Sequence, residues 1–118
     1  MNCQKYPIVP VAKPRMTRSD KWKQRPIVMR YRAFKDEIRL HKVTLPESGS
    51  HIVFYLPMPE SWTAKKKLKL CGEAHLTVPY LDNLIKALLD ALFTQDSHIW
   101  HYTASKLWAK KGAIHILT

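Results

Sequence analysis

Asp82, Lys86, Asp90 and Asp96 are the residues of this chain whose types and spacing suggest chemistry, because only nine acidic residues occur among its 118. The first three are spaced four apart, so on a helix they would share one face. Carboxylates bind hard cations such as Mg²⁺, and a neighbouring lysine can stabilise negative charge on a phosphate. The same spacing also suits a solvated ion-pair ladder, which is the simpler interpretation of the helix alone.

A strongly amphipathic helix must position these side chains, and we predict it at residues 81–93. Its apolar positions recur at helical spacing and form one broad face: Leu81, Leu84, Ile85, Leu88, Leu89 and Leu92. Ala87 and Ala91, on one flank, are small enough to let another backbone come close. Asp82 falls in the first turn, where the helix dipole favours a carboxylate whatever its function.

The remaining pattern predicts a single α+β domain covering residues 1–118, with a mixed sheet packed against helices. Strands are predicted at 6–13, 51–57, 98–110 and 113–118, and an amphipathic helix at 30–43. A short basic helix is predicted between Ser61 as N-cap and Gly72 as the residue after its end. The element order is β-α-β-α-α-β-β.

The net charge of +11 indicates an anionic partner, either nucleic acid or an anionic membrane. No apolar run approaches the roughly 18 residues that a membrane span needs, so we expect nucleic acid and no membrane. Eleven basic residues stand against three acidic ones between positions 13 and 42. The candidates for salt-dependent phosphate contact are Lys13, Arg15, Arg18, Lys21, Lys23 and Arg25, with a second cluster at Lys65, Lys66, Lys67 and Lys69. Trp22 would stack on an unpaired base or pack on its own domain.

The stretch around residue 82 resembles the RusA family of Holliday-junction endonucleases, many of them encoded by phages and prophages. That family carries the motif Pro-Asp-x-Asp-Asn-x-x-Lys-x-x-x-Asp-Ala-Leu, then an Asp-Asp pair, then a lysine on the next strand. The matching residues here are Pro79, Asp82, Asn83, Lys86, Asp90, Ala91, Leu92, Asp96 and Lys106. The segments VPVAKPRMTR and RYRAFKDEI also resemble the family, so the similarity covers most of the chain.

The resemblance implies a divalent-metal-dependent endonuclease that resolves Holliday junctions and other branched DNA by paired phosphodiester hydrolysis. It implies Asp82 and Asp96 as metal ligands, Lys86 as a catalytic lysine and Lys106 as a DNA-binding residue. The expected cofactor is Mg²⁺, which Mn²⁺ could replace, and no organic cofactor is expected. Tyr80, Asp90 and Gln95 are accessory candidates, and for Asp90 a structural or interface role is as well supported as ligation.

Two positions depart from the family pattern. Tyr80 stands where the family has its first aspartate, and Gln95 stands where it has the first acid of the later pair. A phenol is a poorer ligand for a hard cation than a carboxylate. A second hypothesis therefore stays open, namely a junction-binding protein that cleaves weakly or not at all. A third, an RNA-binding module, would explain the charge but leaves Asp82 and Asp96 without a role.

Chain geometry predicts a homodimer. From Asp82 to Phe93 the helix rises roughly 16 Å, whereas the three residues that follow span at most about 10 Å. Asp96 therefore cannot easily return to Asp82 within one chain. A second copy that packs this helix antiparallel would bring its Asp96 beside the first chain's Asp82 and form two equivalent sites.

The cysteines, histidines and glycines suggest no other site. Cys3 and Cys71 are isolated, which fits a reducing compartment. The start of the chain lacks the apolar run of a secretory signal, so we expect a cytoplasmic protein. The resemblance to the RusA family implies a bacterial or phage origin. The six histidines lack ligand spacing, and three scattered glycines cannot form a phosphate-binding loop.

Overall fold

One mixed sheet organises the computed structural model, which describes residues 2–15 and 25–118. Its strands are β1 (Cys3–Tyr6), β2 (Ser50–Pro57), β3 (Tyr102–Ala109) and β4 (Ala113–Leu117). They lie side by side in the order β1-β4-β2-β3. β2 and β3 are parallel, whereas β4 runs antiparallel to both β1 and β2. β3 therefore forms one edge of the sheet.

Three helices complete the described part of the chain: α1 (Pro26–Leu40), α2 (Ala64–Leu70) and α3 (Leu81–Leu92). Because β2 and β3 are parallel, the chain must cross from one end of the sheet to the other between them. That connection contains α2 and α3, and it also contains the candidate site. The order β-α-β-α-α-β-β and the α+β class are as predicted.

The core lies between one face of the sheet and the apolar faces of α1 and α3. Ile52 pairs with Ile116 and Phe54 pairs with Ile114 across β2 and β4, so these four side chains share a face. The buried cluster also includes Leu56 from β2, Tyr31, Phe34 and Ile38 from α1, and Leu84, Ile85, Ala87, Leu88, Leu89 and Ala91 from α3. The spacing in each helix is that of a single buried face. Burial of these faces fixes both helices on the sheet.

Several element ends differ from the predicted ones. The first strand is Cys3–Tyr6 and not 6–13, because Pro7 cannot donate to a ladder and ends the pairing with β4. α1 begins at Pro26, which needs no hydrogen-bond acceptor at the first helical position. It ends before Lys42, whose φ of 52° is not helical. β3 begins at Tyr102 and not at residue 98, because Ser97 and His98 form a turn and the ladder with β2 starts at Tyr102.

The caps of α2 were predicted correctly at one end only. The N-cap is Thr63 and not Ser61, because the Thr63 hydroxyl accepts a hydrogen bond from the Lys66 backbone N–H at 3.2 Å. Gly72 follows the helix with a φ of +83°, as predicted for a residue in the left-handed region. Within residues 2–15 and 25–118, no helix has the length and apolarity to cross a membrane.

A polar contact joins α1 to α3 beside the core. The Tyr31 hydroxyl donates a hydrogen bond to the Asp90 carboxylate, and Lys35 Nζ lies 3.4 Å from the same carboxylate. Lys13 Nζ lies 3.6 Å from its other oxygen. Burial alone would raise the pKa of Asp90, but the Tyr31 hydrogen bond and the two lysine charges outweigh burial and lower it. Burial and the bond to Asp90 raise the pKa of Tyr31. The ionised carboxylate therefore stabilises the packing of α3 on α1.

Replacing Tyr31 by Phe should lower the free energy of unfolding by about 1 kcal/mol, because a hydrogen bond to a charged, partly exposed acceptor is lost. The pKa of Asp90 should rise towards its ordinary value. The stability difference should therefore be present at neutral pH and shrink below about pH 4, where the carboxylate becomes protonated in both states. Urea unfolding and an NMR titration of Asp90 measure the two effects.

Tyr102→Phe is the control, because it removes a tyrosine hydroxyl from β3, remote in sequence from the contact. Tyr102 is 38% exposed, whereas Tyr31 is buried. Equal stability of Tyr31→Phe and the control, with no change in the pKa of Asp90, would show that the contact does not hold the helices together.

Candidate active site

The segment that leads into α3 is attached to the outer edge of β3. The Gly72 N–H donates to the Trp108 carbonyl at 2.8 Å, and the Trp108 N–H donates to the Glu73 carbonyl at 3.0 Å. The His75 N–H donates to the Lys106 carbonyl at 3.0 Å. An edge strand has unpaired backbone groups that need partners. Residues 72–75 supply these partners, so this segment follows the sheet.

The Lys106 side chain continues this attachment towards α3. Its ammonium donates to the backbone carbonyls of Thr77 and Pro79, the latter at 2.8 Å. The Val78–Pro79 peptide is cis. Tyr80 follows as the N-cap of α3 in extended conformation, and its carbonyl accepts from the Leu84 N–H at 3.2 Å. The start of α3 is thereby placed relative to β3.

Asp82 and Lys86 lie on the exposed face of α3, one turn apart. Their side chains are 71% and 64% exposed, and the charged atoms are 4.0 Å apart. An exposed pair at this spacing contributes only a few tenths of a kcal/mol. Both groups therefore remain accessible to an incoming ligand. An uninterrupted ladder along the helix is not formed, because the ion pairs of Asp90 are with Lys35 and Lys13.

Asp96 lies beyond the other end of α3. The helix ends as Phe93 adopts an extended backbone, with φ of −133° and ψ of 140°. Asp96 and Gln95 are exposed in the loop that follows, where the Asp96 carbonyl accepts from the Ile99 N–H at 3.0 Å. The 12 residues of α3 span about 18 Å. Asp82 and Asp96 are thus attached to opposite ends of the helix.

The described residues include carboxylates that could bind a hard cation, but these carboxylates do not cluster. Asp82 offers an accessible carboxylate, and the Tyr80 side chain beside it is also exposed. In residues 2–15 and 25–118, no three His, Cys, Asp or Glu side chains come together as a metal site. Mg²⁺ accepts one or two carboxylates completed by water and substrate phosphate. The Asp82 carboxylate fits such an ion as one of its ligands.

His75 does not extend this donor set. It is buried, and its ring packs 4.1 Å from the ring of Trp108. Burial, followed by the charge of Lys106, lowers the pKa of His75, and nearby backbone carbonyls only partly oppose this effect. The residue is therefore a neutral part of the packing between the segment 72–75 and β3.

Lysines on α2 form an accessible part of the predicted phosphate-binding surface. Lys65, Lys66 and Lys69 are exposed, and none of the residues of α2 is buried. Lys66 Nζ lies 4.2 Å from the ring centroid of Trp62, whose ring packs in turn on Trp108. Lys67 is half-buried beside a cleft of about 470 Å³. The helix thus presents several positive charges to solvent.

The other predicted DNA contacts have varied surroundings. Lys13 pairs with Asp90, and its N–H donates to the Asn83 carbonyl at 3.1 Å. The Arg25 guanidinium donates to the Arg15 carbonyl at 3.0 Å. Lys106 donates to the two carbonyls at the start of α3. Arg18, Lys21, Trp22 and Lys23 lie outside the described residues.

The Endodeoxyribonuclease RusA family model matches residues 5–117 of the chain. The chain belongs to the RusA endodeoxyribonuclease family. No curated protein and no solved structure matches it significantly. Membership of the RusA family implies Holliday-junction endonuclease activity, and it gives the exposed Asp82 and Lys86 a chemical context that the geometry alone lacks.

Within this RusA family member, two features of α3 were not foreseen. Ala87 and Ala91 are buried inside the chain, at 0% and 8% exposure. A partner helix therefore cannot approach through them, contrary to the expected mode of contact. The second feature is the anchoring of α3 by Lys106. A sequence signal for it exists, since Lys106 alternates with Ala104 and Trp108 on the strand face that continues the core.

Proposed function

We propose that the protein is a homodimeric, Mg²⁺-dependent endonuclease that resolves Holliday junctions and other branched DNA by paired phosphodiester hydrolysis. The observation that carries the proposal is the exposed Asp82 and Lys86 pair at the start of α3, in a chain of the RusA family. The net charge of +11 supports an anionic, phosphate-rich substrate.

Each group has a distinct task in this proposal. Asp82 of one subunit and Asp96 of the other hold a divalent cation, which supplies polarisation of the phosphodiester and activation of water. Lys86 stabilises negative charge that develops on the phosphate. The exposed lysines of α2 bind the DNA backbone without reading its sequence. Asp90 keeps α3 in place through its hydrogen bond with Tyr31.

Exposed apolar residues near both acids support the homodimer. Leu76, Val78 and Tyr80 precede Asp82 and are 86%, 68% and 64% exposed, and Trp100 follows Asp96 with 73% exposure. Large exposed apolar side chains in a group mark interaction surfaces. A two-fold contact that brings Asp96 of one chain to Asp82 of the other would cover both groups. A four-way junction has two-fold character and needs two nicks, which two such sites would supply.

Tyr80 favours a second candidate function, a branched-DNA-binding protein with weak or no cleavage. It stands where the family has an aspartate, and it offers the cation a phenol in place of a carboxylate. The basic surface would be retained in such a protein, whereas the affinity for the cation would be low.

A synthetic four-way junction incubated with and without Mg²⁺ tests the first proposal. We expect paired nicks from the wild type only with the cation. Asp82→Asn should reduce nicking on the order of 100-fold or more, because a ligand is lost. Binding should be equal or tighter, because a negative charge near phosphate is also lost. Glu60→Gln, which removes an exposed acid elsewhere, should behave as wild type. Wild-type nicking by Asp82→Asn would place the site elsewhere.

Substitution at Tyr80 separates the two candidate functions. Tyr80→Asp should lower the Mg²⁺ concentration needed for half-maximal nicking, because it adds a carboxylate two residues from Asp82. Tyr80→Asn is the control, because it removes the ring without adding charge. A wild-type protein that does not nick, together with a Tyr80→Asp protein that does, would support the second candidate function. An equal Mg²⁺ requirement in all three proteins would show that position 80 does not contact the cation.

Mixing Asp82→Asn and Asp96→Asn subunits tests whether each site draws on two chains. In the heterodimer one shared site carries both lesions and the other carries none, so the intact site should nick one strand. Sites built within single chains would leave one lesion in each, and the mixture would stay inactive. Subunit exchange is verified with differently tagged chains. Verified heterodimers that produce no nick would exclude the shared site.

A further inference from the structure

Lys106 occupies an unusual position for a charged residue. It pairs with Phe54 in the register of β2 and β3, between Ala104 and Trp108 on the same face, and it is half-buried. A partly buried ammonium needs polar partners. Its partners here are the backbone carbonyls of Thr77 and Pro79, and no carboxylate forms an ion pair with it within the described ranges 2–15 and 25–118.

These two carbonyls belong to the last residues before α3. Tyr80 follows Pro79 directly as the N-cap, and Asp82 lies within the first turn. The Lys106 main chain also accepts a hydrogen bond from the His75 N–H. One residue of β3 therefore holds the entering segment at three points. Hydrogen bonds from a charged donor are stronger than those between neutral groups, which suits a link between the sheet and an exposed loop.

We infer that Lys106 is a positioning residue that sets the place of the Asp82 carboxylate by clamping the backbone at Thr77 and Pro79. The inference rests on the proposed function of Asp82. A displacement of about 1 Å at a reacting group can cost on the order of 100-fold in rate, so a movable start of α3 would impair turnover. The role differs from a direct phosphate contact, which would contribute to affinity and to its salt dependence.

Lys106→Met retains most of the side-chain stem and removes the donors. At saturating protein, the single-turnover nicking rate should fall about 10-fold or more. The Mn²⁺ or Mg²⁺ concentration for half-maximal rate should rise several-fold. The junction Kd should stay within about twofold, with the wild-type salt slope. Lys106→Arg should recover most of the rate, because a guanidinium can donate to both carbonyls at once.

Lys110→Met is the matched control, since it removes an exposed lysine just after β3. It should keep the wild-type rate and cation requirement. Thermal melting establishes that each variant is folded. If Lys106→Met does not fold, Lys106→Gln is used in its place. Its side chain is shorter and uncharged, so it should hold the two carbonyls less firmly and show the same loss of rate. A Lys106→Met or Lys106→Gln protein with wild-type rate and cation requirement would overturn the inference.

Two further outcomes separate this inference from the proposed function. An unchanged rate with a weaker Kd and a salt slope reduced by about one would make Lys106 a phosphate contact and overturn the positioning role. A wild type that binds junctions but never nicks them would refute the nuclease. In that case Mn²⁺ affinity in the junction complex decides: a several-fold weaker value for Lys106→Met supports the clamp, and an equal value overturns it.

Discussion

The attachment of residues 72–79 to the outer edge of β3 is the constraint on which the candidate site depends. Residues 72–75 form backbone hydrogen bonds with Lys106 and Trp108 on the free edge of β3. The Lys106 ammonium extends the attachment to Pro79. The sheet that provides this edge has four hydrogen-bonded strands. α3 begins just after this segment, so the attachment to the sheet positions the start of α3. Asp82 lies in the first turn of that helix.

A second anchor acts towards the other end of α3. The Asp90 carboxylate, held ionised by Tyr31 and two lysines, joins α3 to α1. Two residues that match the family motif, Asp90 and Lys106, thus contact the protein itself, whereas Asp82 and Lys86 face solvent. This division suits catalysis by preorganisation, in which reacting groups stay accessible while their supports are rigid.

The charged residues of α2 are also accessible to solvent. The basic residues of α2 lie on a helix that buries no residue. Their charges cost little to keep in water and remain available to phosphates. Asp82 and Asp96, near the two ends of α3, are among the exposed acids of this basic chain.

The sequence by itself determined the order of the elements, the buried face of α3 and the accessible pair formed by Asp82 and Lys86, because helical and strand periodicities are local properties. The first strand was predicted at 6–13, whereas it ends at Tyr6, before Pro7. Only the tertiary structure decided the roles of Asp90 and Lys106, since their partners lie 59 residues away for Asp90 and 29 and 27 residues away for Lys106. It also decided that Ala87 faces its own chain. Periodicity shows which face of a helix is apolar, whereas the surface that covers this face depends on how distant segments pack.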